Sequence, residues 1–433
     1  MFKTLKDQNQ GFGSFLAGSL VGTSLEWYDF LVSSSAATLV WVYIYFELLP
    51  PAEALVFSLL AFSIGLVGRP FGALIFGYFA DKKGRKYALM GTMVTMGLGT
   101  LFIGLLPTYV QIGLIAPVLL NILRFVQGIG LGGEWGNVNT WILEVTAKSK
   151  FRTLWGTMAQ EGVPIGLISS STFFSLLLTM PRAEFLSYGW RIAYYVGALA
   201  AVIGVIVRAR LIESPLFKKY SGNKSRLPFV DLFKENPVKS MLLILVSVGL
   251  FSNFYIVLIA PDVMIDYGIT AYLAELTVTA AGISAIFTNF GFTYLADRFG
   301  RKTIITISMI IIIIFSYPYW LLIISHIYLL VILAQVIALP VSNGGQFAVI
   351  SIYYPELMPL RYRATGMGIP YQIAGILGGG IAPLLVASEI SIYGIKNFIP
   401  YAALTNALYT VVSLAALMFL TETKNETAAE LAT

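Results

Sequence analysis

Gly77-Tyr78-Phe79-Ala80-Asp81-Lys82-Lys83-Gly84-Arg85-Lys86 and Tyr294-Leu295-Ala296-Asp297-Arg298-Phe299-Gly300-Arg301-Lys302 are two copies of one loop, each set between long apolar runs. A glycine there lets the flanking helices approach closely, and an aspartate followed by arginine and lysine can exchange salt bridges with facing charges. One copy alone reads equally well as a solvated tight turn that obeys the positive-inside rule. Two copies in equivalent places point to an internal duplication whose loops lock a gate. Two further echoes keep the register: Glu144, Arg152 and Gly156 against Glu356, Arg363 and Gly366, and Glu213-Ser214-Pro215 against Glu422-Thr423-Lys424. The expected gate set is therefore Gly77, Asp81, Gly84, Arg85, Lys86, Glu144, Arg152 and Glu213 in the first half, with Asp297, Arg298, Gly300, Arg301, Lys302, Glu356 and Arg363 in the second.

Outward from these loops, apolar runs fall near 14–46, 52–80, 88–106, 112–144, 153–180 and 189–211, then 240–265, 272–296, 303–325, 327–354, 364–388 and 398–420. About 20 apolar residues let a helix cross the hydrocarbon core. The chain is 57% hydrophobic and 12% charged, where about 25% charged is ordinary for a soluble domain. The reading is an all-α membrane protein with twelve transmembrane helices in two pseudo-symmetric six-helix bundles, residues 1–211 and 240–420. A cytoplasmic linker, 212–239, carries Lys218, Lys219, Lys224, Arg226 and Lys234, and a cytoplasmic tail covers 421–433.

With both termini inside, 23 of the 28 Lys and Arg fall on the cytoplasmic side, three outside (Arg182, Arg191, Lys396) and two within spans, as the positive-inside rule requires. The expected location is the plasma (cell) membrane. The net charge of +6 lies in short loops and not on one soluble face, so no nucleic-acid partner is implied. The absence of cysteine excludes thiolate chemistry, and the single histidine, His326, sits in a loop with no metal-ligand spacing around it. No cofactor or metal is expected, and no hydrolytic triad or phosphate-binding loop supports an enzyme. Gly128-x-Gly130-x-x-Gly133 matches the dinucleotide fingerprint but lies inside an apolar run, where glycine serves close packing.

Several words in order carry a resemblance: Gly22-Thr23-Ser24-Leu25-Glu26-Trp27-Tyr28-Asp29-Phe30, Gly68-Arg69-Pro70-Phe71-Gly72, Arg124-Phe125-Val126-Gln127-Gly128, Gly132-Gly133-Glu134-Trp135-Gly136, Glu213-Ser214-Pro215 and Pro355-Glu356-Leu357-Met358-Pro359. They resemble the major facilitator superfamily, and within it most the metabolite:proton symporter family; the Glu-Ser-Pro and Glu-Thr-Lys ends are also similar to the sugar porters. The resemblance covers essentially the whole chain and implies alternating access driven by a proton gradient. Glu161 departs from it, since the family more often has an apolar residue there.

An ionisable side chain at mid-bilayer costs about 2.5–3.5 kcal/mol on insertion scales, so those that persist point to function. Glu26, Asp29, Arg69, Arg124, Glu134 and Glu161 all fall in first-half spans. Asp29 is the first choice for a proton site: a nearby arginine keeps it charged, and it takes a proton when that arginine swings away. Related proton-driven transporters pair a span-one aspartate with a span-four arginine, and Asp29 and Arg124 match those places. A permanent structural pair is the alternative. Glu26 lies on nearly the same face as Asp29, as relay or as arginine partner. Arg69 suits a carboxylate, or else locks helices by pairing with Glu134 or Glu161.

The substrate list is Arg69, Glu134 and Glu161, the two glutamates holding a cationic or zwitterionic solute, with Tyr28 and Gln160, and from the second half Asn253, Tyr255, Asn289, Asn343, Gln346, Tyr371 and Gln372. The neutral groups suit hydrogen bonding, or serve as helix glue. The expected function is proton symport of a small organic metabolite, foremost an organic acid, with a zwitterionic or cationic solute or a sugar as alternatives and a non-transporting sensor as the rival class. The partners are then substrate, protons and membrane lipid, with one chain working as a monomer.

Overall fold

The computed structural model describes residues 12–219, 227–394 and 397–426. Lys224, Arg226, Lys396 and the tail from 427 onward lie outside them. The described residues form helices and no strand. α1 (Phe12–Ala36) continues through a π turn, Ala37–Trp41, to Ile44. Then come α2 (Pro51–Lys83), α3 (Arg85–Leu105), α4 (Ile115–Thr146), α5 (Arg152–Gln160), α6 (Gly162–Leu177) and α7 (Trp190–Ala209). A short linker helix, α8 (Pro228–Glu235), precedes α9 (Pro237–Asp266), α10 (Ala271–Phe299) and α11 (Arg301–Ile323). α12 (Tyr328–Ser342) passes through a π turn into α13 (Val349–Glu356). α14 (Arg363–Ala374) does the same into α15 (Ala382–Tyr393), and α16 (Ile399–Met418) closes the second bundle.

Ten helical segments among the described residues are long and apolar enough to cross a membrane. The expected spans 14–46 and 153–180 are not among them, the first because polar residues interrupt its apolar helix and the fifth because it is cut into helices of 9 and 16 residues. Both are helical, but their inward faces are polar: Thr23, Glu26, Asp29 and Ser33 are buried on α1, and Thr153, Thr157, Gln160 and Glu161 on and just after α5. The cut in the fifth span falls at Glu161, where α5 ends and α6 begins. The outer faces of the bundles expose Phe57, Leu60, Phe102, Leu199, Ile314 and Leu408, as lipid-facing surfaces do.

Within the first bundle, α2 and α4 meet backbone to backbone. A Cβ on Gly72 would stand 2.0 Å from the Ile129 carbonyl oxygen, and one on Gly128 2.1 Å from that of Gly65. Only glycine permits that approach. The dinucleotide-like glycines therefore serve packing, as their apolar context implied.

The two loop copies and the α4–α5 and α13–α14 connections gather at one end, where Lys82, Lys83, Lys148, Lys150 and Arg361 also lie; it is called the basic end below. Among the described residues, the polar contacts that bridge the bundles run from this end to the middle of the molecule.

Candidate functional site

At the basic end the three sequence echoes become one repeated device. Arg85 donates to Glu144 from Nη2 (2.8 Å) and Nε (3.2 Å), and its Nη1 stands 3.2 Å from Asp81. In the second bundle Arg301 donates to Glu356 from Nε (3.2 Å) and Nη2 (3.3 Å) and stands 3.2 Å from Asp297. Each cluster then takes one arginine from the other bundle: Arg363 lies 3.6 Å from Glu144, and Arg152 donates to Glu356 at 2.8 Å. Two acids and two arginines make each cluster neutral, as buried charge requires.

The aspartates reach across as well. Asp81 accepts from the backbone N–H groups of Ala364 (3.2 Å) and Thr365 (3.0 Å), and Asp297 from those of Thr153 (3.1 Å) and Leu154 (2.9 Å). Each carboxylate caps the N-terminus of a helix in the opposite bundle, α14 or α5, where orphan donors and the helix dipole favour an anion. Gly77 lets α2 approach this contact, its Cβ direction meeting Thr365.

Gly84 and Gly300 hold φ of 120° and 114°, and beside them Glu213 and Glu422 accept from the first N–H groups of α3 and α11. Lys86 joins through its backbone N–H. Lys302 adds its Nζ on the Met418 and Leu420 carbonyls, at 2.8 and 2.9 Å. Arg298 stands apart, exposed and lying over the Phe299 ring.

Deeper in, Asp29 and Arg124 are buried close together but do not touch. Gln127 stands between them, its Nε2 donating to Asp29 and its Oε1 accepting from Arg124. Thr100 donates to the other Asp29 oxygen at 2.7 Å, and Arg124 Nη2 donates to the Phe62 carbonyl at 3.1 Å. The expected direct pair is thus relayed through an amide, with Arg124 against the rings of Trp41 and Phe62.

Arg69 pairs with neither Glu134 nor Glu161. Its Nη1 is 4.0 Å from Glu26, its guanidinium lies 4.9 Å from the Phe30 ring centroid, and its Nε and Nη2 have no protein partner. Glu134 is held by Arg208, which also donates to the Leu89 carbonyl (2.8 Å), while Thr92 donates to Glu134 at 2.9 Å. Arg208, counted with the cytoplasmic charges, is instead fully buried on α7. Its place so close to the end of the run 189–211 carried no signal of that burial. Gly22 makes room for this pair, since a Cβ there would stand 1.6 Å from Arg208 Nη2. Glu161 is buried, and both its oxygens lack a hydrogen bond.

Aromatic rings wall the middle of the molecule. Trp135 stacks flat on Tyr371 across the bundles at 3.5 Å between centroids, and its Nε1 donates to Gln160 at 3.3 Å. Trp27 meets Phe254 edge-on, and Phe30 meets Tyr255. Tyr255 and Tyr371 were on the expected substrate list, whereas Trp27, Phe30, Trp135 and Phe254 were not. Gln372 donates to the Gly132 carbonyl (3.1 Å), also across the bundles. Within the second bundle Asn253 donates to Gln346 (3.2 Å) and Asn343 to Asn289 (3.2 Å). Tyr28 points elsewhere, its hydroxyl donating to the Ala193 carbonyl at 3.0 Å within the first bundle.

Two bundles joined at one end by matched charge clusters, with further ionisable groups buried inside the first bundle, match known proteins over the whole chain. The family model described as Major Facilitator Superfamily matches residues 11–383, and again 241–432. The inner membrane metabolite transport protein YhjE of Escherichia coli (strain K12) is 34% identical over 423 residues, covering 95% of this chain and 94% of that one. The shikimate transporter of the same organism is 29% identical, covering 87% of each chain. Its proline/betaine transporter is also 29% identical, covering 89% of this chain and 79% of that one. Among solved structures, the proton:xylose symporter XylE bound to 6-bromo-6-deoxy-D-glucose superposes with a TM-score of 0.76 at 18% identity, covering 96% of this chain and 98% of that one. The chain belongs to the major facilitator superfamily, and it is a multi-pass membrane transporter of that family and not an enzyme.

Proposed function

We propose that the protein carries a small organic acid into the cell together with protons, by alternating access, as a monomer in the plasma membrane. The basic end and both termini then face the cytoplasm, and the linker and tail flank the two bundles there. The observation that carries the substrate class is Arg69: buried, with Nε and Nη2 unpartnered, beside rings from both bundles. A guanidinium fork with free donors is built to take a carboxylate in bidentate fashion. Shikimate, proline and betaine, named for two of the relatives, all carry a carboxylate. Gln160, Asn253, Asn289, Asn343, Gln346, Tyr371 and Gln372 offer the neutral donors and acceptors that would select among acids.

We assign proton coupling to Asp29. Gln127 ties it to Arg124, so the carboxylate is held charged only while the amide bridges the two. When α1 and α4 shift and the bridge breaks, a buried carboxylate without that support takes a proton. Glu26 then serves as the partner that Arg69 exchanges for substrate.

In liposomes loaded at a higher internal pH, shikimate or betaine uptake should exceed equilibrium and should rise as the external pH falls, because the proton is a co-substrate. Asp29→Asn should keep exchange of labelled for unlabelled substrate and lose accumulation; undiminished uphill transport in that variant would overturn the assignment. A zwitterionic solute is the second reading, favoured by the Trp27, Phe30, Phe254 and Tyr255 rings near Glu26 and Arg69, since aromatic faces hold quaternary ammonium groups. Competition between shikimate, betaine and xylose in the same vesicles separates acid, zwitterion and sugar.

A further inference from the structure

One seam between the bundles is a ladder. α5 and α10 run antiparallel, and polar groups meet on them at four-residue steps, one helical turn apart. Asp297 caps Thr153 and Leu154 at the basic end. One turn in, the Thr157 and Thr293 hydroxyls lie 2.6 Å apart. One turn further, Glu161 faces Asn289. By helical rise Glu161 sits roughly 12 Å inward of the gate, with the Asn289 amide as its nearest polar neighbour and no well-formed hydrogen bond to either carboxylate oxygen or to Asn289 Nδ2.

The groups packed around it are neutral. Thr23 and Ser24 of α1 close on Gly162, Gln160 connects it to Trp135 of α4, Asn289 faces it from α10 with the Thr157–Thr293 contact one turn nearer the gate, and Asn343 lies behind Asn289. Among the described residues no lysine, arginine or histidine stands within ion-pair distance of it and no acid crowds it. An unpaired carboxylate shut in such a place is expensive, whereas a protonated one is a neutral group that can donate to an amide.

We propose that Glu161 is a second proton-carrying site, loaded while the basic-end gate is shut and emptied when the α5–α10 seam parts. The idea rests on the proton-coupled reading and adds one proton to it. Glu161 binds a proton from water admitted from the end opposite the gate, forming one O–H bond. Parting of the Asp297 and Thr293 rungs lets in water from the basic side; that O–H bond breaks, and the proton leaves to this water while the carboxylate stays behind. Opening and deprotonation are then one event, in the order uptake needs. The equivalent position in the other seam is neutral: Gln372 stands nine residues after Arg363, as Glu161 does after Arg152, and it bonds the Gly132 carbonyl. Only one seam is tied to a proton.

The test needs no substrate. In the full chain bearing Thr140→Cys, an impermeant maleimide reaches the thiol only when the gate opens, because Thr140 is buried against Met367 across the bundles. Corrected for an exposed cysteine, the labelling rate should rise with pH, and Glu161→Gln should flatten that rise by up to tenfold per pH unit, the limit for one linked proton. An unchanged slope in Glu161→Gln overturns the proposal. Should that variant fold poorly, Glu161→Asp must restore the slope. Infrared spectra of the wild type at neutral pH must also show a protonated carboxyl band that Asp29→Asn does not remove, and its absence overturns the proposal too. Failure of the transport reading would appear separately, as wild-type vesicles that move no protons with shikimate or betaine.

Discussion

Gln127 shows how a buried charge can be kept poised without a direct partner. An Asp29–Arg124 contact would be a lock, whereas an amide between them is one bridge that a small helix shift can break. Glu134 and Arg208 are the opposite case: they touch directly, and Thr92 and the Leu89 carbonyl take up remaining hydrogen bonds. Removing one partner of such a pair leaves an uncompensated buried charge. Glu134→Gln should therefore destabilise the protein by about 3–5 kcal/mol, and adding Arg208→Met should recover most of the loss; thermal unfolding in detergent measures both. At Arg69, lysine keeps the charge and loses the fork, so Arg69→Lys should raise the KM for shikimate by about tenfold, some 1.4 kcal/mol. An unchanged KM would remove Arg69 from the carboxylate site. The six charges first read as buried were visible because each interrupts an apolar run. Arg208 was not, because a residue close to a run's end looks the same whether it turns out to water or back into the bundle. No spacing rule reveals that Gln127 comes between two charged groups.

Helix ends carry the second level of information. Gly84 and Gly300 were legible as turn glycines, and the structure adds that both lie at positive φ with a carboxylate from the end of their own bundle beside them. A Cβ on Gly84 would stand 2.1 Å from Glu213 Oε2 and would also meet the penalty of roughly 1–3 kcal/mol for an extended backbone at positive φ. Gly84→Ala should therefore lower the melting temperature in detergent more than Gly366→Ala, where the nearest atom is the flexible Met358 Sδ at 2.9 Å. Equal losses at the two sites would show that the capping carboxylate matters little. The third echo, Glu213 against Glu422, thereby acquires a reason: each carboxylate caps the helix that its own loop glycine begins. Span existence was readable from apolar runs, but the break at Glu161 and the π turns at Ala37–Trp41, Asn343–Ala348 and Gly375–Ile381 were not, since one extra residue in a turn leaves the hydrophobic pattern nearly unchanged.

At the scale of the whole molecule, the repeat makes two matched charge clusters that share no residue, Asp81–Arg85–Glu144–Arg363 and Asp297–Arg301–Glu356–Arg152, and on the proposed function each is one lock of the basic-end gate. The sequence repeat announced the two copies; that each borrows an arginine from the other bundle follows only from the fold, because pairing across a seam leaves no trace in spacing. Each aspartate holds two backbone donors of the opposite bundle, and an asparagine in its place can accept only one of them without turning its own N–H groups toward a donor. A charge-assisted hydrogen bond contributes about 1.5–3 kcal/mol, so Asp81→Asn or Asp297→Asn should each raise the open-to-shut ratio at the basic end by roughly tenfold to a hundredfold. With no native cysteine, a Thr140→Cys thiol is the only one to label, and its rate tracks the open population when opening is fast beside the reaction. Separate clusters predict additive free energies, so the double variant should multiply the two increases. A double variant that labels no faster than the singles would mean that the locks open as one unit, and unchanged rates in all three would place the closing force in the aromatic stack of Trp135 on Tyr371 instead.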